Sequence, residues 1–147
     1  MKAFFDTSVL LPVFYADHPR HEESLRVFRL QNKKQTACAA HTAAELYATL
    51  TRLPLRPRIE ADQAMLFLES LRDRVTFVSL DGDQYLQTIA EISRRRLTGG
   101  IVYDALIAAC ARKARAAVLY TWNPADFERL KVAHGPVIRT PADRDIH

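Results

Sequence analysis

Met1-Lys2-Ala3-Phe4-Phe5-Asp6-Thr7-Ser8 is the stretch on which the fold turns: a short apolar, aromatic run stops at a carboxylate, and two hydroxyl side chains follow. A run this short, closed at once by residues that start helices, reads as a buried parallel strand over 3–5 leading into a helix. Asp6 then stands at the carboxyl end of a central strand, the edge of an open α/β sheet where ligands and reacting groups collect. Capping is the competing account, because Asp6, Thr7 or Ser8 can each close the first turn of that helix. The stretch alone does not separate the two.

The surrounding 147 residues, 48% apolar and 26% charged, predict one domain with a substantial core and exclude a disordered chain. The longest apolar run, Val9 to Ala16, falls well short of the roughly 18 residues that suggest a membrane span. Asp6 also interrupts any signal-peptide core, so the expected location is the cytoplasm with no membrane partner. Cys38 and Cys110 lie in alanine-rich apolar surroundings and read as small buried hydrophobes. A net charge of +4 and a pI near 9.3 favour encounter with polyanions, nucleic acid above all, without deciding the matter.

Outward from Asp6, Val9-Leu10-Leu11 and Phe14-Tyr15 predict a short helix that tolerates Pro12 only in its first turn. An amphipathic helix follows from Pro19 toward the polar turn 31–35. Thr36 to Ala40 suggests a second strand, although alanine is a poor strand former. A helix opening at Thr42 carries Leu46, Leu50 and Leu53 until Pro54-Leu55-Arg56-Pro57-Arg58 interrupts it. The next helix, about 59–72, places Ala64, Met65, Leu68 and Leu71 on one stripe, and 75–78 reads as a strand. A helix over 83–96 points Tyr85, Leu86, Ile89 and Ile92 inward and ends in Arg94-Arg95-Arg96, where cations suit the helix dipole. After Gly99-Gly100 comes an alanine-rich helix over 101–114 bearing Asp104, then a strand over 116–120, a helix started by Asn123-Pro124, and an edge strand at Val137-Ile138. Strands alternating with helices predict a mainly parallel sheet covered on both faces, within one domain of residues 1–140 and a loose polar tail over 141–147.

Four carboxylates stand out along this frame: Asp6, Glu45, Asp104 and Asp126. Two have ordinary explanations, since Thr42-x-x-Glu45 fits a capping box and Asn123-Pro124-x-Asp126 supplies a cap, a first-turn proline and a first-turn acid. The set says more than its members. Asp6 and Asp126 follow predicted strands and Glu45 opens the helix after a third, so all project at one sheet edge. Asp104 sits among small residues, Ala105, Ala108 and Ala109, that let its helix pack close. Gathered carboxylates repel and need protons or a cation between them. An all-oxygen set suits Mg²⁺ or Mn²⁺. Cys38-x-x-His41 lacks a second pair at zinc spacing, and the chain has no Gly-rich phosphate loop.

Phe4-Phe5-Asp6-Thr7-Ser8-Val9-Leu10-Leu11, Ala44-Glu45-Leu46, Tyr103-Asp104-Ala105-Leu106-Ile107-Ala108-Ala109 and Tyr120-Thr121-Trp122-Asn123-Pro124-Ala125-Asp126-Phe127, in that order and spacing, resemble the PIN-domain family. Within it they resemble the VapC-type ribonuclease toxins of bacterial toxin–antitoxin systems. That resemblance implies a three-layer α/β/α domain whose acidic pocket binds Mg²⁺ and cuts RNA. It makes Asp6 and Asp104 the principal metal ligands, with Glu45 and Asp126 completing the pocket, and gives Thr7, Ser8 and Asn123 a supporting role in orienting a ligand or water. Many relatives carry a further acid where this chain has Asn123, so one ion is expected instead of two. Arg94, Arg95, Arg96, Arg112 and Lys113 are the candidates for holding the RNA backbone. A homodimer and a small antitoxin protein are the implied partners, with surfaces near 46–71 available to them.

Two other readings compete. Asp6 at a strand end fits an aspartyl-phosphate domain, but the second acid that such a site needs two residues on is Ser8 here. A non-catalytic RNA- or partner-binding module with this fold would lack a metal response.

Overall fold

The computed structural model describes residues 1–143. β1 (Ala3–Phe5) is buried at all three positions, so it has no solvent face and takes the centre of a parallel sheet. β2 (Thr36–Ala39) pairs on one side and β4 (Val118–Tyr120) on the other, with Phe5 opposite both Cys38 and Tyr120. β3 (Thr76–Val78) extends the sheet beyond β2, and β5 (Val137–Arg139) extends it beyond β4, giving the order β3-β2-β1-β4-β5 with every pair parallel. The chain therefore walks outward in one direction from β1 and in the other from β4. This reversal opens a crevice at the carboxyl ends of β1 and β4, where Asp6 and Thr121 emerge side by side.

Alternate side chains of the central strands serve two cores. Ala3, Phe5, Cys38 and Tyr120 pack under α1 (Thr7–Val13), α2 (His21–Arg29), α3 (Ala40–Arg52) and α4 (Ala61–Arg74) through Leu10, Phe28, Leu46, Leu50 and Leu71. Phe4, Ala37, Ala39 and Leu119 face α6 (Ile101–Lys113) and α7 (Pro124–Arg129) on the other side. The alanines of β2 make sense here: Ala108 and Ala111 let α6 lie close, so tight packing replaces the missing strand propensity. α5 (Gly82–Arg94) leans on α6, where Ile92, Ala105 and Leu130 form a small third cluster. This is the expected three-layer α/β/α arrangement, and both cysteines are buried and free.

Several local expectations are corrected. Pro12 lies near the end of α1, not in its first turn, and is tolerated because the helix stops one residue later; its carbonyl accepts a hydrogen bond from His21 Nδ1 at 2.7 Å. Phe14 and Tyr15 fall beyond that helix. α3 begins at Ala40, two residues before Thr42, so Thr42 and Glu45 form no capping box and Ala39 occupies the cap. The helix over 82–94 does not bury Tyr85, Leu86 and Ile89, which are exposed; it packs along one edge only, through Thr88 and Ile92. Met65 is exposed as well. Of the tail, Pro141 is buried and its carbonyl accepts from Arg26 Nη2 at 2.6 Å. Residues 144–147 lie outside the described residues.

Candidate active site

Asp6 occupies the N-cap position of α1, yet its side chain makes no cap hydrogen bond. It turns instead into the crevice between β1 and β4. There Ser8 Oγ donates to Asp6 Oδ2 at 2.7 Å and Thr121 Oγ1 donates to the same oxygen at 2.8 Å. Both hydroxyls are themselves aimed: Ser8 Oγ accepts from the Trp122 amide at 2.9 Å, and Thr121 Oγ1 accepts from the Asn123 amide at 2.9 Å. With their lone pairs so engaged, their protons point at the carboxylate. Trp122 is pinned in turn, its Nε1 donating to the buried Ser24 hydroxyl at 2.9 Å while Arg20 stacks over its ring. Capping is thus not what Asp6 does.

Asp6 is only 4% exposed, and burial pushes its pKa up despite these donors. The hydroxyls of Ser8 and Thr121 and the nearby amides of Thr7 and Ser8 pull it down, but less. A charge here is costly and well held.

The other three acids are arranged more loosely. Asp104, one turn into α6, is half-buried and pushed up to about 6, first by burial and then by the charges of Asp6, Asp126 and Glu45. All four carboxylates therefore share one field. Glu45 is raised by burial first, with Asp6 adding to the rise and His41 and the Thr7 hydroxyl opposing it. Its Oε1 is shielded from solvent and accepts no hydrogen bond; the His41 Nε2 that approaches it at 3.4 Å belongs to the same helix, one turn earlier. His41 also stacks parallel to the exposed Tyr103 ring, 6.1 Å between centroids, beside Asp104. Thr7 Oγ1 meets Thr42 Oγ1 at 3.0 Å and so joins the starts of α1 and α3.

Among the described residues no three acids, histidines or cysteines already stand close enough to enclose one ion. The donor set nevertheless fits a hard divalent ion: every group is a carboxylate oxygen, and one of them is both desolvated and unbonded.

The helix initiated by Pro124 carries Asp126 in its first turn, as the sequence suggests, but the Asn123 side chain makes no cap bond. Thr121 was not among the expected site residues. Its signal lay in the register, since Phe5 pairs with Tyr120 and the next residue on each strand must then be neighbours. Of the basic candidates, Lys113 Nζ donates to Ser79 O at 2.7 Å and to Gln84 Oε1 at 2.9 Å, which ties α6 to the β3–α5 connection. Arg96 takes the left-handed turn that ends α5, at φ 58. Arg94, Arg95 and Arg112 line a common cavity.

The family model for the PIN domain matches residues 3–133. The chain belongs to the PIN-domain family. This PIN domain is 33% identical over 129 residues to Ribonuclease VapC40 of Mycobacterium tuberculosis, covering 86% of this chain and 92% of that protein. Its fold matches the solved structure of Mycobacterium tuberculosis VapC20, described as a sarcin-ricin loop cleaving toxin, with a TM-score of 0.71 at 18% identity, covering 92% of this chain and 100% of that one. It also matches a chain of the DNA-bound VapBC of Salmonella typhimurium, with a TM-score of 0.69 at 22% identity, covering 97% and 99% of the two chains. The four acids and the hydroxyl pair on Asp6 all lie within the matched residues, and no helix among the described residues is long and apolar enough to cross a membrane.

Proposed function

We propose that this PIN domain is a divalent-metal-dependent endoribonuclease and the toxin of a toxin–antitoxin pair. The observation that carries the reading is the shared field of Asp6, Glu45, Asp104 and Asp126 at the switch point of the sheet, in a chain one-third identical to a named ribonuclease. Asp6 and Asp104 would be the main ligands of one Mg²⁺ or Mn²⁺, with Glu45 and Asp126 completing the set. A bound divalent ion supplies water activation for attack on phosphorus and offsets charge on the phosphate oxygens. The chain itself supplies placement. Ser8 and Thr121 both donate to Asp6 Oδ2, which fixes the orientation of the carboxylate. Glu45 Oε1, which accepts no hydrogen bond, is a natural acceptor for a proton or cation.

An antitoxin and a second copy of the chain are the partners of this reading. The leucines Leu46, Leu50 and Leu71 are fully buried and serve the core, so surfaces on α3 and α4 would come from the exposed Tyr47, Met65 and Leu66.

The test is a cleavage assay on single-stranded and loop RNA with and without Mg²⁺ or Mn²⁺. The expected result is metal-dependent hydrolysis by the parent chain and none by Asp6→Asn or Asp104→Asn, both retaining cooperative unfolding. Full activity in either purified variant would overturn the proposal. Thermal stabilisation of the parent by Mn²⁺, lost in both variants, is the expected companion result.

A further inference from the structure

We infer that the cavity between α5, α6 and the end of α7 is a base pocket, which takes one nucleotide of single-stranded RNA flanking the phosphate that is cut. The inference rests on the ribonuclease reading above and adds to it where the substrate lies.

The cavity encloses about 260 Å³ and is floored by Ile92, Ala105, Ala108, Leu130 and Val132. Pockets for drug-sized ligands run roughly 300–1,000 Å³, so a single nucleobase is the appropriate scale. The floor is apolar and aliphatic, a surface on which the flat face of a base loses water favourably. The rim is cationic: Arg94, Arg95 and Arg112 all line it, and among the described residues none of them forms an ion pair with a carboxylate. Arg95 is steadied by donating to the Arg129 carbonyl, which ties the end of α5 to α7. Three unneutralised guanidiniums around an apolar floor match a ligand that is aromatic and anionic at once, since guanidinium both stacks on rings and binds phosphate in a bidentate fork. Glu91, the one acid on the rim, offers an acceptor that suits the exocyclic amine of a base such as cytosine.

Helix α6 links the cavity to the acid site, because Ala105, which lines the cavity, follows Asp104 directly in the chain. Asp104, Ala108 and Arg112 follow one another at four-residue steps, so they share a face of α6, and the eight residues from Asp104 to Arg112 rise about 12 Å. Asp126 and Leu130 repeat the same relation on α7. Each helix thus carries an acid in its first turn, and the cavity is lined further along α6 and by Leu130 at the end of α7. A strand of phosphates repelled by the carboxylates at one end finds cations at the other.

The probe is 5′-fluorescein hexacytidylate, followed by anisotropy in EDTA so that no cleavage occurs. Arg94→Ala/Arg112→Ala is expected to weaken binding roughly tenfold, and to lower the slope of log affinity against log salt by about 1.4, which is about 0.7 for each phosphate no longer neutralised. Arg29→Ala, at an exposed position of α2 across the sheet, is expected to change neither. With a single 4-thiouridine in the oligonucleotide, crosslinks are expected to fall on peptides containing residues 105–112 or 130–132. Equal binding by the double variant and Arg29→Ala, crosslinks confined to other helices, or displacement of the RNA by hexaglutamate at equal concentration would each overturn the base pocket. Failure of the two proposals is distinguishable. A parent chain that cleaves RNA while the double variant binds and cleaves as well as it does removes only the pocket. A parent that binds in this way yet cleaves nothing with either ion removes only the nuclease.

Discussion

Asp6 and Glu45 carry the same chemical group a few residues from the same sheet edge, and the molecule treats them in opposite ways. Around Asp6 the structure is complete: two hydroxyls donate to one oxygen, each hydroxyl is aimed by a backbone amide, and the residues involved come from β1, α1 and β4. Around Glu45 it is unfinished, with a shielded oxygen that accepts nothing and a neighbouring acid, Asp104, pushed up to about 6. The strand junction supplies an anchor whose orientation folding has already fixed, although burial still raises the Asp6 pKa. The α3–α6 side stores a local cost that a divalent cation would relieve.

The largest test of this contrast is Thr121→Val. It removes a donor from Asp6 at a fully buried position and takes from the Asn123 amide its part-buried acceptor. A loss of about 1–3 kcal/mol is expected by chemical denaturation. Metal-dependent cleavage should fall roughly 10–100-fold, the usual cost of removing a group that orients a ligand. Ser8→Ala should follow the same pattern with a smaller stability loss, about 1 kcal/mol, because its hydroxyl is only part-buried.

Glu45→Gln should act with the opposite sign. In EDTA it removes a desolvated charge that feels Asp6 and Asp104, so the melting temperature is expected to rise, on the order of 2 °C, while stabilisation by Mn²⁺ shrinks. If Thr121→Val and Glu45→Gln both destabilise the metal-free protein, the contrast between the two regions fails.

The smallest effect is the pH dependence. The folded value for Asp104, about 6, lies above its ordinary 3.8, so between these values the native state binds more protons than the unfolded one. Stability contributed by protonated Asp104 is present at the acid end and lost as pH rises through that window. Denaturation midpoints in EDTA should fall across it, and the fall should be shallower in Asp104→Asn. Added Mn²⁺ should reduce the fall in the parent, because the ion takes over the role of the proton.

The sheet, its covering helices and the strand-end acids were legible because each signal is local. An aromatic run ending at Asp6, an alanine-rich helix around Asp104 and the Asn123-Pro124 start of α7 each announce themselves within a few residues. What escaped was tertiary. Thr121 serves Asp6 across 115 residues of chain, and only the pairing of β1 with β4 makes them neighbours. Periodicity placed Tyr85, Leu86 and Ile89 inward because it reports an apolar stripe without reporting what covers it, and α5 buries only Thr88 and Ile92. The capping pattern at Thr42 misled because α3 already starts at Ala40, directly after β2, with Ala39 at the cap. Thr42 then became free to meet Thr7.

The central place of β1 also bears on the order of synthesis. Asp6 leaves the ribosome long before Thr121 and Asp126, and β4, which completes its surroundings, is the fourth of five strands in chain order. Domains fold as units once their parts are available. A growing or prematurely terminated polypeptide that stops short of β4 has no assembled pocket, so the site forms only after Thr121 and Asp126 have been made.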